Sequence, residues 1–101
     1  MPYELTEEAE QDLREVARYT LTRWGAAMLE QYWGGLKETF SAIAVGSIYK
    51  RTFTETFPDL FVTKYQHHYI FYLSSGRSKP VIIGVIHERR DIVSRLSERL
   101  S

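Results

Sequence analysis

Residues 81–100 read VIIGVIHERRDIVSRLSERL, and the rest of the chain can be placed around them. The first six are apolar apart from Gly84, and the apolar ones are all β-branched. A short run of this kind, preceded by the turn signals Ser78 to Pro80 and followed by charges, predicts a strand buried on both faces in the middle of a sheet. His87, Glu88, Arg89 and Arg90 follow in succession where the chain leaves that core. Asp91 is placed to cap a helix whose Ile92, Leu96 and Leu100 recur every four residues along one face. The most buried strand therefore delivers a charged, histidine-containing rim and then a final amphipathic helix, and a functional site is expected at that rim.

With 101 residues, 44% apolar and 26% charged, the chain is expected to fold as one domain over residues 1–101 with a modest core. It has no cysteine, so disulfide staples and thiolate metal sites are excluded, and a reducing cytoplasm is the expected compartment. The N-terminal residues MPYELTEEAE carry neither a basic segment nor an apolar one of the kind that directs secretion. No apolar run approaches membrane-span length, so no membrane association is expected. The net charge of zero conceals an asymmetry. Residues 1–49 hold four Lys or Arg against eight Asp or Glu, and residues 50–101 hold nine against five. A basic half points to an acidic or nucleic-acid-associated partner, although two unequal solvated surfaces would read the same way.

Working back from the central strand, Tyr3 to Leu5 reads as a short edge strand. Thr6 is positioned to cap a helix with Glu7 and Glu8 in its first turn, where the helix dipole favours acids. Ala9, Leu13, Val16, Ala17, Thr20 and Trp24 share one face of that helix, and Gly25 marks its end. A second helix over residues 26–45 turns Leu29, Tyr32, Trp33, Leu36, Phe40 and Ile43 inward, so the two form an antiparallel hairpin. Gly34 and Gly35 lie inside it, each at about 1 kcal/mol relative to Ala, which predicts close packing of another segment there. Residues 46–58 lack periodicity and read as a loop, with an irregular strand around residues 49–53. Residues 60–65 and 69–73 are two further strands, joined by a turn or bulge at His67 and His68. The predicted order is β-α-α-β-β-β-α, an α+β fold in which an antiparallel meander packs on a helical hairpin.

Candidate chemistry is sparse. The three histidines, His67, His68 and His87, have no cysteine to assist them, and neighbouring residues of a strand point to opposite faces, so no metal or other cofactor is expected. No phosphate loop, nucleophile elbow or zincin motif occurs. Lys64, Arg77, Arg89 and Arg90, with His87 and Glu88 nearby, contain the base, acid and cations that phosphodiester cleavage requires. Solvated charges flanking a buried strand are the plainer reading of the same set. Tyr65, Tyr69, Phe71 and Tyr72 beside basic residues could stack bases, but in so small a core they serve first as filling, as do Trp24 and Trp33.

The strand and helical hairpin, then Y-I-F-Y over residues 69–72, then V-I-I-G-V-I-H-E-R-R-D-I over residues 81–92, closely resemble the RelE/ParE superfamily of type II toxins, and its ParE branch in particular. The resemblance covers nearly the whole chain and is most specific over residues 86–92. It implies a small cytoplasmic toxin made with an antitoxin, here ParD-like, in an oligomeric toxin–antitoxin complex. ParE-like members inhibit DNA gyrase by binding, whereas RelE-like members cut mRNA in the ribosomal A site. The appended final helix, a tail without Tyr or His, and a sparsely basic sheet favour the ParE branch, with no enzyme activity and no sequence-specific nucleic-acid contact. On that reading His87, Arg89, Arg90, Arg95 and Arg99 are expected to contact gyrase, and Tyr19, Tyr32 and Leu36 to receive the antitoxin. The alternative is a ribosome-dependent endoribonuclease with His87 and Glu88 as acid–base pair and Lys64, Arg77 and Arg89 holding phosphate. A non-toxic member acting only in operon regulation is a third.

Overall fold

A computed structural model describes residues 2–76 and 79–100. In chain order the elements are β1 (Glu4–Leu5), α1 (Glu7–Trp24), α2 (Ala26–Val45), β2 (Thr52–Thr54), β3 (Phe57–Tyr65), β4 (His68–Leu73), β5 (Val81–His87) and α3 (Ile92–Leu100). The strands form one sheet in the order β1-β5-β4-β3-β2. Strands β2 to β5 are the expected antiparallel meander, while β1 pairs parallel with β5 and makes the sheet mixed. The α+β class and the element order stand, with one addition. Thr52 and Thr54 pair with Phe61 and Phe57, so the irregular strand expected around residues 49–53 is a short one over Thr52–Thr54, and β3 begins three residues earlier than the alternation suggested.

Local signals explain the helix ends. The Thr6 hydroxyl accepts from the Ala9 N–H at 3.1 Å, and Glu7, Glu8 and Glu10 sit in the first turn at the positive end of the dipole. Gly25, at φ 93°, is the only residue between α1 and α2. Its N–H closes α1 on Leu21 and its carbonyl opens α2 by accepting from Leu29, a reversal that an L side chain would strain. Asp91 caps α3, its carboxylate accepting from the Ser94 N–H at 3.2 Å and the Ser94 hydroxyl at 2.9 Å.

The sheet is covered on both faces. Ala9, Leu13 and Val16 of α1 and Leu36, Phe40 and Ile43 of α2 pack on Ile70, Tyr72, Ile82 and Val85. On the other face Leu96, flanked by Ile92 and Leu100, packs on Leu60, Val62, Phe71, Ile83 and Ile86. A strict alternation would not put Ile82 with Val85 and Ile83 with Ile86. A bulge does it: Phe71 opposes Gly84 and Tyr72 opposes Ile82, so Ile83 has no partner on β4 and the phase of β5 slips by one residue. Each fully buried Ile or Leu contributes about 1.5–3 kcal/mol relative to exposure, so α3 is held chiefly by Leu96 and its neighbours.

Of the two helical glycines, only Gly35 meets the expected close packing. A Cβ there would overlap the Tyr65 ring, whereas one at Gly34 would meet nothing within 4 Å. Leu36 is fully buried, so it belongs to the core and is corrected as an exposed docking position. Trp24 corrects in the opposite direction. It is the last residue of α1 and is 61% exposed.

Candidate functional site

Strand β1 pairs with only the first part of β5, opposite Val81 and Ile82, and β5 runs on to His87. Beyond β1 the edge of β5 faces α1 across a groove of about 510 Å³. One wall is α1, with Glu15, Tyr19 and Trp24, and the other is the end of β5 with the segment after it, including His87, Arg89, Arg90 and Arg95. The rim predicted from the sequence is thus one wall of a groove whose other wall is aromatic.

Asp12, on the lining of the groove, belongs to an ion pair that sequence reading did not find. Asp12 of α1 and Arg99 of α3 meet in a two-pronged contact, Nη1 to Oδ2 at 2.6 Å and Nη2 to Oδ1 at 2.8 Å. Their side chains are 6% and 12% exposed. Both also reach the β5 main chain. Asp12 Oδ2 accepts from the Val85 N–H at 2.9 Å, and Arg99 Nη1 donates to the Ile83 carbonyl at 3.0 Å. The pair therefore occupies the place of the strand that β1 does not supply, satisfying the next two main-chain groups of that edge. Gly84 leaves the space for it, since a Cβ there would lie 2.7 Å from Arg99 Nη1. Asp12 holds the guanidinium above its usual pKa. Arg99 is accordingly committed inside the fold and is corrected as a free contact residue, because its planar head is turned from solvent to an internal carboxylate.

At the far end of β5, the β3–β4 turn closes over the rim. Gln66 takes a left-handed φ of 52°, and the His67 carbonyl accepts from the Glu88 N–H at 2.8 Å. The Glu88 carboxylate is held between Lys64 Nζ at 2.9 Å and His67 Nδ1 at 2.8 Å. Lys64 first and His67 second lower its pKa to about 2, so it is ionised with both oxygens engaged at neutral pH. His68 opens β4 on the face that carries α2, where Nδ1 bonds the Tyr32 hydroxyl. Burial, then the neighbouring His87 and His67, lower the His68 pKa to about 4, and burial raises Tyr32 to about 12. The His87 ring lies edge-on to His68 at 5.1 Å, and its Nδ1 accepts the Arg89 N–H at 3.1 Å, which leaves the proton of the neutral ring on Nε2.

The structure thus separates the predicted residues into groups. His87, Arg89, Arg90 and Arg95 share one groove with Tyr19. Lys64 and Glu88 form an ion pair beside the turn, with Glu88 also on the groove lining. Tyr32 is half-buried between Tyr65 and His68. Arg77 lies outside the described residues. As an acid–base centre the set is poorly poised. Glu88 has no proton to give at neutral pH and both its oxygens are engaged by Lys64 and His67, while one ring nitrogen of His87 is taken up by the Arg89 N–H. As a cationic surface it is well poised: the side chains of Arg89, Arg90 and Arg95 make no hydrogen bond or ion pair among the described residues. Among those residues no group of three or more His, Asp or Glu is arranged to hold a metal ion, and no helix is long and apolar enough to cross a membrane.

The sequence profile of the family described as ParE toxin of type II toxin-antitoxin system, parDE, matches residues 3–92. The chain belongs to the ParE toxin family. It is 38% identical over 98 residues to Toxin ParE of Escherichia coli, covering 97% of this chain and 95% of that protein. In the fold it is similar to a solved chain of the chromosomal ParDE TA system from P. aeruginosa, with a TM-score of 0.70, 13% identity, and coverage of 86% of this chain and 95% of that one. The family match ends at Ile92, so α3 with Arg95 and Arg99 lies almost wholly beyond it, although the E. coli relative aligns over nearly the full length.

Proposed function

We propose that this ParE-family toxin, a single toxin domain, inhibits DNA gyrase by direct binding in the cytoplasm, without catalysis or a cofactor, and is neutralised by a ParD-like antitoxin. One observation carries the reading. The side chains of Arg89, Arg90 and Arg95 at the rim are unpartnered among the described residues, while the Glu88 carboxylate that an endoribonuclease would use is held by Lys64 and His67. Unpaired cations on an exposed wall steer and hold an anionic partner, and gyrase in its DNA complex presents such charge. His87, Arg89, Arg90 and Arg95 are the proposed contact set.

Antitoxin binding is supported by the ParDE relative and by apolar surface on the helical hairpin. Tyr19, Leu21 and Met28 are each at least 43% exposed, and an apolar notch of about 330 Å³ lies among Ala17, Ala26, Leu29 and Trp33. Tyr19 remains the proposed antitoxin contact, and Tyr32 contributes only its exposed part.

Plasmid supercoiling by purified gyrase tests the proposal directly. Added toxin, freed of antitoxin and shown to be folded, is expected to abolish supercoiling or to accumulate linear DNA. Full supercoiling at excess toxin, together with mRNA cleaved at the A site in a translation reaction, would move the function to the ribosome.

A further inference from the structure

The groove beside α1 carries different chemistry on its two walls, and the contact set proposed for gyrase uses only one of them. On the first wall the side chains of Arg89, Arg90 and Arg95 make no hydrogen bond or ion pair among the described residues. His87 lines the same wall, and because its Nδ1 accepts the Arg89 N–H, the neutral ring offers an Nε2–H donor. On the other wall Tyr19 and Trp24 are 59% and 61% exposed, and Glu15 lies one helical turn before Tyr19. Of the acids on the lining, Asp12 is held by Arg99 and Glu88 by Lys64, so Glu15 is the carboxylate left without a hydrogen bond among the described residues. At about 510 Å³ the groove falls within the range of roughly 300–1,000 Å³ usual for small-ligand sites.

We propose that this groove binds a guanosine 5′-polyphosphate, with the base on the wall of Tyr19, Trp24 and Glu15 and the phosphates on Arg89, Arg90, Arg95 and His87. Three guanidinium groups and a ring N–H on one wall match more than a single phosphate. Exposed aromatic rings on the other take a planar base by stacking. The Glu15 carboxylate then chooses among the bases. Guanine presents two adjacent donors, its N1–H and its exocyclic amine, which match the two carboxylate oxygens, whereas adenine places a lone pair at N1 that a carboxylate repels. Charge also decides for a free nucleotide over a nucleic-acid strand. A strand carries phosphate on both sides of each nucleoside, and Glu15 repels the second one, whereas a free nucleotide ends at its sugar. The site shares its arginines with the gyrase reading but does not rest on it, because the nucleotide needs the toxin alone.

Amide and indole shifts of the full chain in solution, read without gyrase, let the two ideas fail separately. GDP is expected to shift the Trp24 indole and the Arg89 and Arg90 amides, and to bind about tenfold more tightly than ADP or GMP. Glu15→Gln should remove most of the preference for GDP over ADP without weakening ADP. The double variant Arg89→Glu, Arg90→Glu should weaken both nucleotides by about tenfold. All three substituted positions are exposed, and a melting temperature near that of the parent separates lost binding from lost folding. Four results overturn the proposal. They are no shift with GDP, an unchanged GDP preference in Glu15→Gln, binding of ADP or inorganic pyrophosphate as tight as that of GDP, which would reduce the rim to a plain anion surface, and tighter binding of a single-stranded oligodeoxyguanylate, which would assign the groove to nucleic acid.

Discussion

Replacing Arg99 with methionine keeps most of the side-chain stem and removes the head that meets Asp12. The variant leaves the Asp12 carboxylate, 6% exposed, with only the Val85 N–H, and leaves the Ile83 carbonyl without its donor. Breaking a buried ion pair from one side costs about 3–5 kcal/mol, because the remaining charge stays desolvated. Folded domains of this size are stable by about 5–15 kcal/mol, so Arg99→Met should take away a large share of the total. At roughly 5 °C per kcal/mol, the melting temperature should fall by about 15–25 °C. Replacing both partners, Asp12→Leu with Arg99→Met, removes the stranded charge and should be more stable than Arg99→Met alone, although the Val85 and Ile83 main-chain groups stay unsatisfied. Urea titration of the parent, both single variants and the double variant gives the coupling as a double-mutant cycle. If Arg99→Met lies within about 0.5 kcal/mol of the parent, the pair is solvated in solution and the account of the β5 edge is wrong.

The same geometry sets three further outcomes. The free histidine value is 6.5 and folded His68 titrates near 4, so across that window the unfolded chain binds the extra proton and stability falls as pH drops, by roughly 2 kcal/mol after allowance for residual exposure. Denaturant melts at pH 7 and pH 4 should show this loss in the parent and a flatter profile in His68→Gln; identical profiles would remove His68 as its source. Gly34→Ala should stabilise by about 1 kcal/mol through helix propensity alone, whereas Gly35→Ala must displace the Tyr65 ring and should cost about 1–2 kcal/mol, so thermal melts of opposite sign are expected. Combined Arg89→Ala, Arg90→Ala and Arg95→Ala should raise the toxin concentration needed to inhibit gyrase by about ten- to a hundredfold. Glu88→Gln, by contrast, should leave inhibition unchanged, and a result the other way round would return Glu88 to a chemical role.

How much of the fold is legible in the sequence depends on how far each signal reaches along the chain. The β5 run, the Thr6 cap, the Gly25 reversal and the Ile92, Leu96, Leu100 stripe are all local, and each appears where its pattern places it. The bulge at Ile83 is not legible, because a slip of phase within an unbroken apolar run changes no residue type. Trp24 reads as core because it continues the stripe of Ala9, Leu13, Val16 and Thr20. A stripe tells which face points inward, but it cannot tell that its last residue, at the helix end, stays exposed. Leu36 shows the complementary failure: it lies on the inward stripe of α2, yet analogy with antitoxin binding places it outside, and the stripe is the better guide.

Asp12 is the instructive case, since the sequence does contain its signal. It lies three residues after Ala9 and four before Val16, so it falls inside the apolar face of α1. A carboxylate on a buried face must be paired, protonated or hydrogen-bonded, and the chain should therefore hold a cation able to reach it. From the other end the reasoning narrows only to α3, where Arg99 adjoins Leu100 as Arg95 adjoins Leu96. Nothing local joins positions 12 and 99. The joining condition is the bare edge of β5, where Gly84 admits the guanidinium and two main-chain groups need partners that β1 is too short to provide. One pair thereby closes the part of the edge next to β1, ties the C-terminal helix to the first helix, and leaves the rim arginines as the charges free to meet a partner. If that division of labour is right, the Arg89, Arg90, Arg95 triple variant should melt close to the parent while losing inhibition. Arg99→Met should lose stability first, and its inhibition only as far as it unfolds.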